Sequence, residues 1–429
     1  MEGPATLMTA ATDLLYSDTE RELAAALADL LADRAAPADV LARTEKAETY
    51  DTGLWRTVAA DIGVAGLLIP EPLGGAGASY RELAAAAEHF GATVAPIPYL
   101  GSAAVATAVL LSAARSAAQA TPPATATAFS APAAPSTPSP TSASRATPVS
   151  PAAELLRRLA DGTVTAALAV DVAARPGTPF PAAVRIAGPV FPVGKNQPGG
   201  AGTTRLRGAI PAVADALPAD VLLVPADGVP NGLYLVEATA PGVHRTPVVS
   251  LDMTRQLCDI SLDDAPARQI VVGAAAGQAV DAGLTAGAAV LAAEQLGLAQ
   301  RCLDMTVAYV KERRQFARTI GSFQALKHRL ADLWTTITLA RAASRYAAAC
   351  LADGDPDTPV AVALAKSACC EAAVTAAQEC VQLHGGIGFT WEHPAHLYLK
   401  RAKAASVAFG TPGAHRAWIA GLVDLPAPD

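Results

Sequence analysis

Two short stretches near the C-terminal end concentrate residue types that could do chemistry. The first is Lys311-Glu-Arg-Arg-Gln-Phe-Ala-Arg-Thr-Ile-Gly-Ser-Phe-Gln324. Its Arg313 supplies a permanent cation with forked donors, which is what an anionic group such as a pyrophosphate needs. Taken alone, Lys311 to Arg314 reads first as a solvated charged run. The second stretch is Val381-Gln-Leu-His-Gly-Gly-Ile-Gly388, in which Gly385, Gly386 and Gly388 let another molecule approach the backbone closely. A lone GGxG is a weak signal. His393-Pro-Ala-His396, with His384 nearby, has ligand-like spacing. Pro394 interrupts any helix there, and no acidic or cysteine cluster accompanies the histidines, so no metal is expected. Cys258, Cys302, Cys350, Cys369, Cys370 and Cys380 form no CxxC pair. Five of them fall in segments that read as buried helix, and reduced core thiols in a cytoplasmic protein are expected.

The elements that must position these residues follow from composition and period. The chain has 429 residues, enough for two or three domains, and 52% of them are hydrophobic. Much of that share is alanine, and aromatics make up only 5% of the whole chain, so the core must be built from Ala, Leu and Val. The net charge is −7 with no block of Lys or Arg, which argues against a nucleic-acid partner. Met1 to Glu20 has no basic run ahead of an apolar core, so no secretory leader is expected. No stretch reads as long and apolar enough to span a bilayer; the best, Gly101 to Ala114, is short and alanine-rich.

Residues 1–162 read as a helical domain. Asp18 is placed as the cap of a helix from Thr19 to about Asp33, with further helices over Trp55–Ile62, Tyr80–Phe90 and Ser102–Ala114. Gly66 to Gly77 is broken by Pro70, Pro72 and glycines into a loop. An Ala/Pro/Ser/Thr-rich insert, 116–151, interrupts this domain and is expected to be disordered. Residues 163–273 change to short β-branched runs at Thr163–Asp171, Asp220–Pro225, Gly232–Glu237 and around Ile260 and Leu262, with Gly194–Gly202 as a hairpin or loop. Residues 274–429 are helical again. Leu326, Leu330, Leu333 and Ile337 form a packing seam there, and Asp353 to Thr358 forms a turn.

In order and spacing, the Lys311–Gln324 and Val381–Pro394 stretches resemble those of flavin-dependent acyl-CoA dehydrogenases. Gly66–Gly77 resembles that family's N-terminal loop, and the resemblance covers the chain outside 116–151. It implies an α+β fold: an N-terminal helical domain, a middle β domain and a C-terminal four-helix bundle, assembled as a homo- or hetero-oligomeric dimer of dimers. It implies FAD as cofactor, held across a subunit interface by Arg313, Phe316, Gln324, Gln382, Gly385 and Gly386, with Thr411 toward the adenosine. It also implies an acyl-CoA or other acyl-thioester substrate and an electron-transfer flavoprotein or similar acceptor.

The same resemblance exposes departures. The reaction removes an α proton next to a thioester, which needs a placed carboxylate. The family's usual Glu position is occupied by Phe409, in Val407-Ala-Phe-Gly-Thr-Pro412. The alternative helical position, aligned through Gly297 and Gln300, falls on Gly287. Glu294, two turns on, is the nearest carboxylate, and its expected fate is a polar helix contact. Val170-Asp-Val-Ala-Ala-Arg-Pro-Gly177 and Ile210-Pro-Ala-Val213 replace the segments that usually flank the flavin ring, and Ala317 replaces a glycine. Three readings stay open: a dehydrogenase with another base, a non-catalytic or FAD-site-donating subunit of a heteromeric dehydrogenase, and a biosynthetic acyl-thioester dehydrogenase.

Overall fold

The computed structural model describes residues 13–120, 150–187 and 204–426. The central part of the insert and the Gly194–Gly202 segment lie outside the described residues.

The N-terminal region comprises α1 (Asp18–Arg34), α2 (Pro37–Thr44), α3 (Thr52–Arg56), α4 (Tyr80–Thr93), α5 (Thr107–Ala120) and α6 (Pro151–Ala160). The cap of α1 is Ser17, not Asp18: the Ser17 hydroxyl accepts from the Glu20 amide, and the Glu20 carboxylate accepts from the Ser17 amide. This reciprocal box satisfies two amides that the helix leaves free. The helix expected over Trp55–Ile62 is split, because α3 gives way to a wider turn at Thr57–Asp61. A similar wide turn, Leu100–Ala106, precedes α5. Residues 116–120, assigned to the disordered insert, instead complete α5; five alanine-rich residues extend a helix at little cost.

The middle region contains β1 (Ala166–Leu168), β2 (Val184–Ile186), β3 (Thr204–Ala214), β4 (Val221–Asp227), β5 (Gly232–Glu237), β6 (Val243–Val248) and β7 (Leu257–Val272). β2, β3 and β6 escaped the sequence reading. β3 carries Arg205, Arg207, Gly208 and Pro211, which dilute its apolar alternation, and β6 (VHRTPV) has little. The strands β4, β2, β3, β7 and β5 pair in turn, and β5 pairs back to β4, closing a small barrel. Its interior is filled by Leu206, Ile210, Val213, Leu222, Val224, Val236, Ile260 and Leu262. β1 extends β4 in parallel, and β6 pairs with β7.

The C-terminal bundle consists of α7 (Ala274–Glu312), a two-strand hairpin of β8 (Arg314–Gln315) and β9 (Arg318–Thr319), then α8 (Gln324–Asp353), α9 (Thr358–His384), α10 (Ala395–Val407) and α11 (Pro412–Leu422). Leu333 and Ile337 of the expected seam are buried, while Leu326 and Leu330 lie at its half-buried end. Small residues set the helix spacing. A Cβ on Gly91 of α4 would stand 1.8 Å from the Glu294 carbonyl oxygen, and one on Gly297 of α7 would stand 1.8 Å from that of Glu88. The two backbones therefore touch, and the N-terminal helices are keyed to α7.

One expectation needs correction. Leu100–Gln119, Ala274–Glu312 and Thr358–Phe389 are each long and apolar enough to cross a membrane by length and composition. Runs of Ala, Leu and Val reach that threshold because these helices pack on one another. For the α7 span, 89% of the most apolar window is buried inside the protein.

Candidate active site

The ends of α7 and α9 lie side by side, with the Tyr309 and His384 rings stacked at 4.4 Å between centroids. This brings the two sequence stretches together. Arg313 terminates α7 in an extended conformation and is exposed. The hairpin after it turns through Phe316 (φ 52°) and Ala317 (φ 60°), two left-handed residues in succession, as a tight two-residue hairpin requires. That turn projects the Phe316 ring outward, 86% exposed. A left-handed alanine is strained by ~1–2 kcal/mol relative to glycine. Ala317→Gly is therefore expected to raise stability by up to about 1 kcal/mol, read as a higher urea midpoint with unchanged m-value. Gln324 opens α8 and is exposed, with its Nε2 3.4 Å from His328 Nε2. Gln382 is exposed on the last turn of α9. Gly385 has a φ of 64°, and a Cβ on either Gly385 or Gly386 would meet nothing within 4 Å. This open face suits a ligand laid against the backbone.

Thr411 stands elsewhere. It caps α11, its Oγ1 accepting from the Ala414 amide at 3.2 Å. The loop it belongs to is held by Lys366 of α9, 18 residues before His384. At 1.5 Å per residue that is about 27 Å along the helix. Thr411 and the Arg313–Gly386 group thus stand well apart on one chain.

The positions where a base would sit are in contact. A Cβ on Gly287 would come within 2.7 Å of the Phe409 ring and 2.9 Å of Val105. The Phe409 ring is buried and fills the space over α7. Its backbone is fixed on both sides. The Phe409 amide donates to the Val172 carbonyl at 2.7 Å, and its carbonyl accepts from His415 Nε2 at 2.8 Å. Lys366, wholly buried, donates to the Gly410 carbonyl at 3.0 Å and the Ala405 carbonyl at 3.2 Å. Burial pushes His415 down to about 4, so it is a neutral donor at ordinary pH.

Glu294 is not free for proton transfer. Arg255 Nη2 lies 2.6 Å from Oε2, Arg401 Nε lies 2.8 Å from Oε1, and the Tyr99 hydroxyl donates to Oε2. Burial raises the pKa of this carboxyl, but the two guanidiniums outweigh it and hold it well below the usual carboxylate range. The cluster continues from Arg401 to Asp252 at 3.3 Å and to the Thr254 hydroxyl at 2.9 Å. It joins the N-terminal helices, the barrel and the bundle. None of its basic members was singled out from sequence, since an isolated Arg in a loop or helix carries no positional signal.

The segments that would flank a flavin ring are bonded to one another. The Val172 amide donates to the Ala212 carbonyl at 3.1 Å, while the Val172 carbonyl takes the Phe409 amide. A cavity of about 30 Å³ remains between them, bounded by Leu100, Val105, Leu168, Val170 and Phe409, with Asp215 at one side. Asp215 is engaged by the Tyr50 hydroxyl at 2.7 Å and the Gly101 amide at 2.9 Å. The exposed residues around Arg313 and Gly385 fit the pyrophosphate end of FAD. The space beside Phe409 does not fit its ring.

His384 Nδ1 lies 2.6 Å from the Cys380 carbonyl. His393 Nδ1 accepts from the Ala395 amide at 3.2 Å, which gives the Trp391–His393 segment a role at the start of α10. All six cysteines are buried and free.

Residues 17–122 match the family model for the acyl-CoA dehydrogenase N-terminal domain, and residues 277–422 match that for the C-terminal domain. The acyl-CoA dehydrogenase IpdE2 of Mycobacterium tuberculosis is 34% identical over 387 residues, covering 90% of this chain and 91% of that one. This chain belongs to the acyl-CoA dehydrogenase family, oxidoreductases that act on CH–CH bonds. The ChsE4–ChsE5 complex from Mycobacterium tuberculosis superposes with a TM-score of 0.74 at 26% identity, over 97% of this chain and 100% of that one. Butyryl-CoA dehydrogenase from Megasphaera elsdenii, at 21% identity and a TM-score of 0.73 over 96% of this chain and all of that one, shares the fold.

Proposed function

We propose that this chain serves acyl-CoA dehydrogenation as a subunit that lends half of a FAD site to a partner chain carrying the carboxylate base. The observation that carries this reading is the contact between Phe409 and Gly287: both places where the family keeps its base are filled by groups that accept no proton. The lone-chain reading would require another base, and Glu294, the nearest carboxylate, is held by two arginines. The open Arg313–Gly386 face, about 27 Å along α9 from the Thr411 loop, supports a cofactor shared between subunits. The similarity to a two-component complex points the same way.

FAD, bound across the interface, would supply the hydride acceptor. Arg313 and Gln324 would hold its pyrophosphate end, Phe316 would pack on it, and Gln382 would donate toward it over Gly385 and Gly386. An electron-transfer flavoprotein would then receive the electrons.

The test is co-purification with a family member that has the Glu. The pair is expected to retain flavin through gel filtration. Arg313→Ala removes a charge-assisted contact worth ~1.5–3 kcal/mol and is expected to weaken FAD retention at least tenfold. Full retention by that variant would overturn the half-site assignment.

A further inference from the structure

We propose that Cys380 and Cys302 form a thiol pair that hydrogen peroxide oxidises to a disulfide, a modification site set near the open Gly385–Gly386 face. It does not rest on the subunit reading, since it uses no base and no cofactor. The two residues lie on neighbouring helices, Cys302 on α7 and Cys380 on α9, and both are wholly buried and free. The Cys302 thiol bonds to the Cys380 sulfur. Cys380 also faces His384, one turn further along α9, whose Nδ1 stands 3.7 Å from Sγ. The same Nδ1 lies 2.6 Å from the Cys380 carbonyl. A carbonyl only accepts, so Nδ1 carries a hydrogen, and that N–H is turned toward the sulfur as well. Contacts with the Tyr309 and His393 rings, at 4.4 and 4.2 Å between centroids, hold the imidazole in that place.

These neighbours sort the six cysteines. The thiolate is the reacting form, and an ordinary thiol is only a few per cent thiolate at about pH 7. The bond from Cys302 and the hydrogen on His384 pull Cys380 below the usual thiol range, against the effect of burial. Burial pushes Cys258, Cys302, Cys350, Cys369 and Cys370 upward. Cys380 is therefore the attacking sulfur and Cys302 the resolving one, the arrangement that stepwise thiol oxidation needs. The exposed Gln382 and Gly385 stand within about a turn and a half of Cys380, a short way for a molecule little larger than water. In the first step the Cys380 sulfur gives an electron pair to one peroxide oxygen and the O–O bond breaks. Hydroxide leaves, takes a proton from solvent and becomes water, while Cys380 holds a sulfenic acid. In the second step the Cys302 sulfur displaces that hydroxyl, which departs with the Cys302 proton as a second water. One peroxide is reduced by two electrons, and two thiols become one disulfide. Sulfurs already in hydrogen-bond contact need only close to about 2.05 Å.

The experiment treats the full chain, with any subunit and flavin that co-purify, with limiting hydrogen peroxide near neutral pH and maps every thiol by mass spectrometry. A Cys302–Cys380 disulfide is expected in the parent, formed at least about tenfold faster than oxidation at any of the other four cysteines. Cys302→Ala should stop at the Cys380 sulfenic acid, which a 1,3-dione added to that variant should trap at Cys380 alone. Cys380→Ala should leave Cys302 reduced. The parent map decides by itself whether the pair reacts first, so a variant that fails to fold leaves the test standing. Oxidation of the folded parent at all six cysteines alike, at none of them, or first at a cysteine outside the pair overturns the proposal. So does Cys302 that is oxidised in folded Cys380→Ala as fast as in the parent.

Discussion

Purified alone, the chain is expected to oxidise acyl-CoA thioesters at no more than background rate, and co-expression with a Glu-bearing family member is expected to restore turnover. The expected gap is large, because a placed general base is worth ~10²–10⁴-fold. Two features set it. Phe409 and Gly287 supply no acceptor for the α proton, and the space left beside the Phe409 ring is only about 30 Å³. Single-turnover dye reduction with a series of acyl-CoAs would measure it. Arg313→Ala in the restored pair should then lower turnover in step with flavin content, and adding excess FAD should recover part of it. Robust single-chain activity would sink the proposal. Glu294→Gln separates the alternatives further. A base at that place would abolish dye reduction with flavin still bound, whereas the ion pairs around it imply that stability changes instead.

The fold was legible because its signals repeat along the chain. α7, α8 and α9 are long, alanine-rich and bounded by turn residues such as Gly354, which ends α8 with a left-handed φ of 64°. The barrel was half legible. β4 and β5 are apolar runs buried on both faces, but β3 hides behind arginines that face outward and β6 behind His244, Arg245 and Pro247. Arg313, Gln324, Gln382, Gly385 and Gly386 were legible as motifs, since they stand in two short stretches whose helix ends the structure brings side by side. The residues that govern the base position were not. Lys366 sits in the apolar run AVALAKSACC and reads as an ordinary helix lysine, yet it is wholly buried and its role is to hold carbonyls of a loop some forty residues later. Long-range pairing of single polar residues leaves no period for a sequence to display. The missing carboxylate was visible as a departure, but that Phe409 and Gly287 touch is a fact of three-dimensional packing alone.

The buried cluster around Glu294 sets the second large effect. Glu294→Gln is expected to cost on the order of 3–5 kcal/mol of stability, the usual result of removing one partner from a buried ion pair. The change leaves Arg255 and Arg401, both fully buried, facing a neutral amide, with Asp252 as the carboxylate closest to Arg401. Because Tyr99, Arg255 and Arg401 belong to three different regions of the chain, the loss should appear as one cooperative shift in urea midpoint and not as fraying of one domain. The exposed pair Arg21–Asp18 is the control, and Arg21→Ala should leave the midpoint in place, since surface pairs contribute little. The pH dependence has a definite sign. The Glu294 carboxyl is held below its unfolded value near ~4.3, so its contribution is fully present above that value and is lost as pH falls through its depressed folded value. The stability gap between parent and Glu294→Gln should therefore be constant from neutral pH down to about 5 and narrow below about 4. A gap that widened on acidification would mean that the carboxyl is protonated in the folded protein and that the two guanidiniums do not hold it charged. Replacing Glu294, Arg255 and Arg401 with Leu or Met of similar volume, together with Asp252→Asn and Tyr99→Phe so that no buried charge or hydroxyl is left unpaired, should recover much of the loss, because a well-packed apolar replacement of a buried ion cluster is often neutral or stabilising. That recovery would fix the role of the cluster as a clamp between domains, with no part in moving a proton.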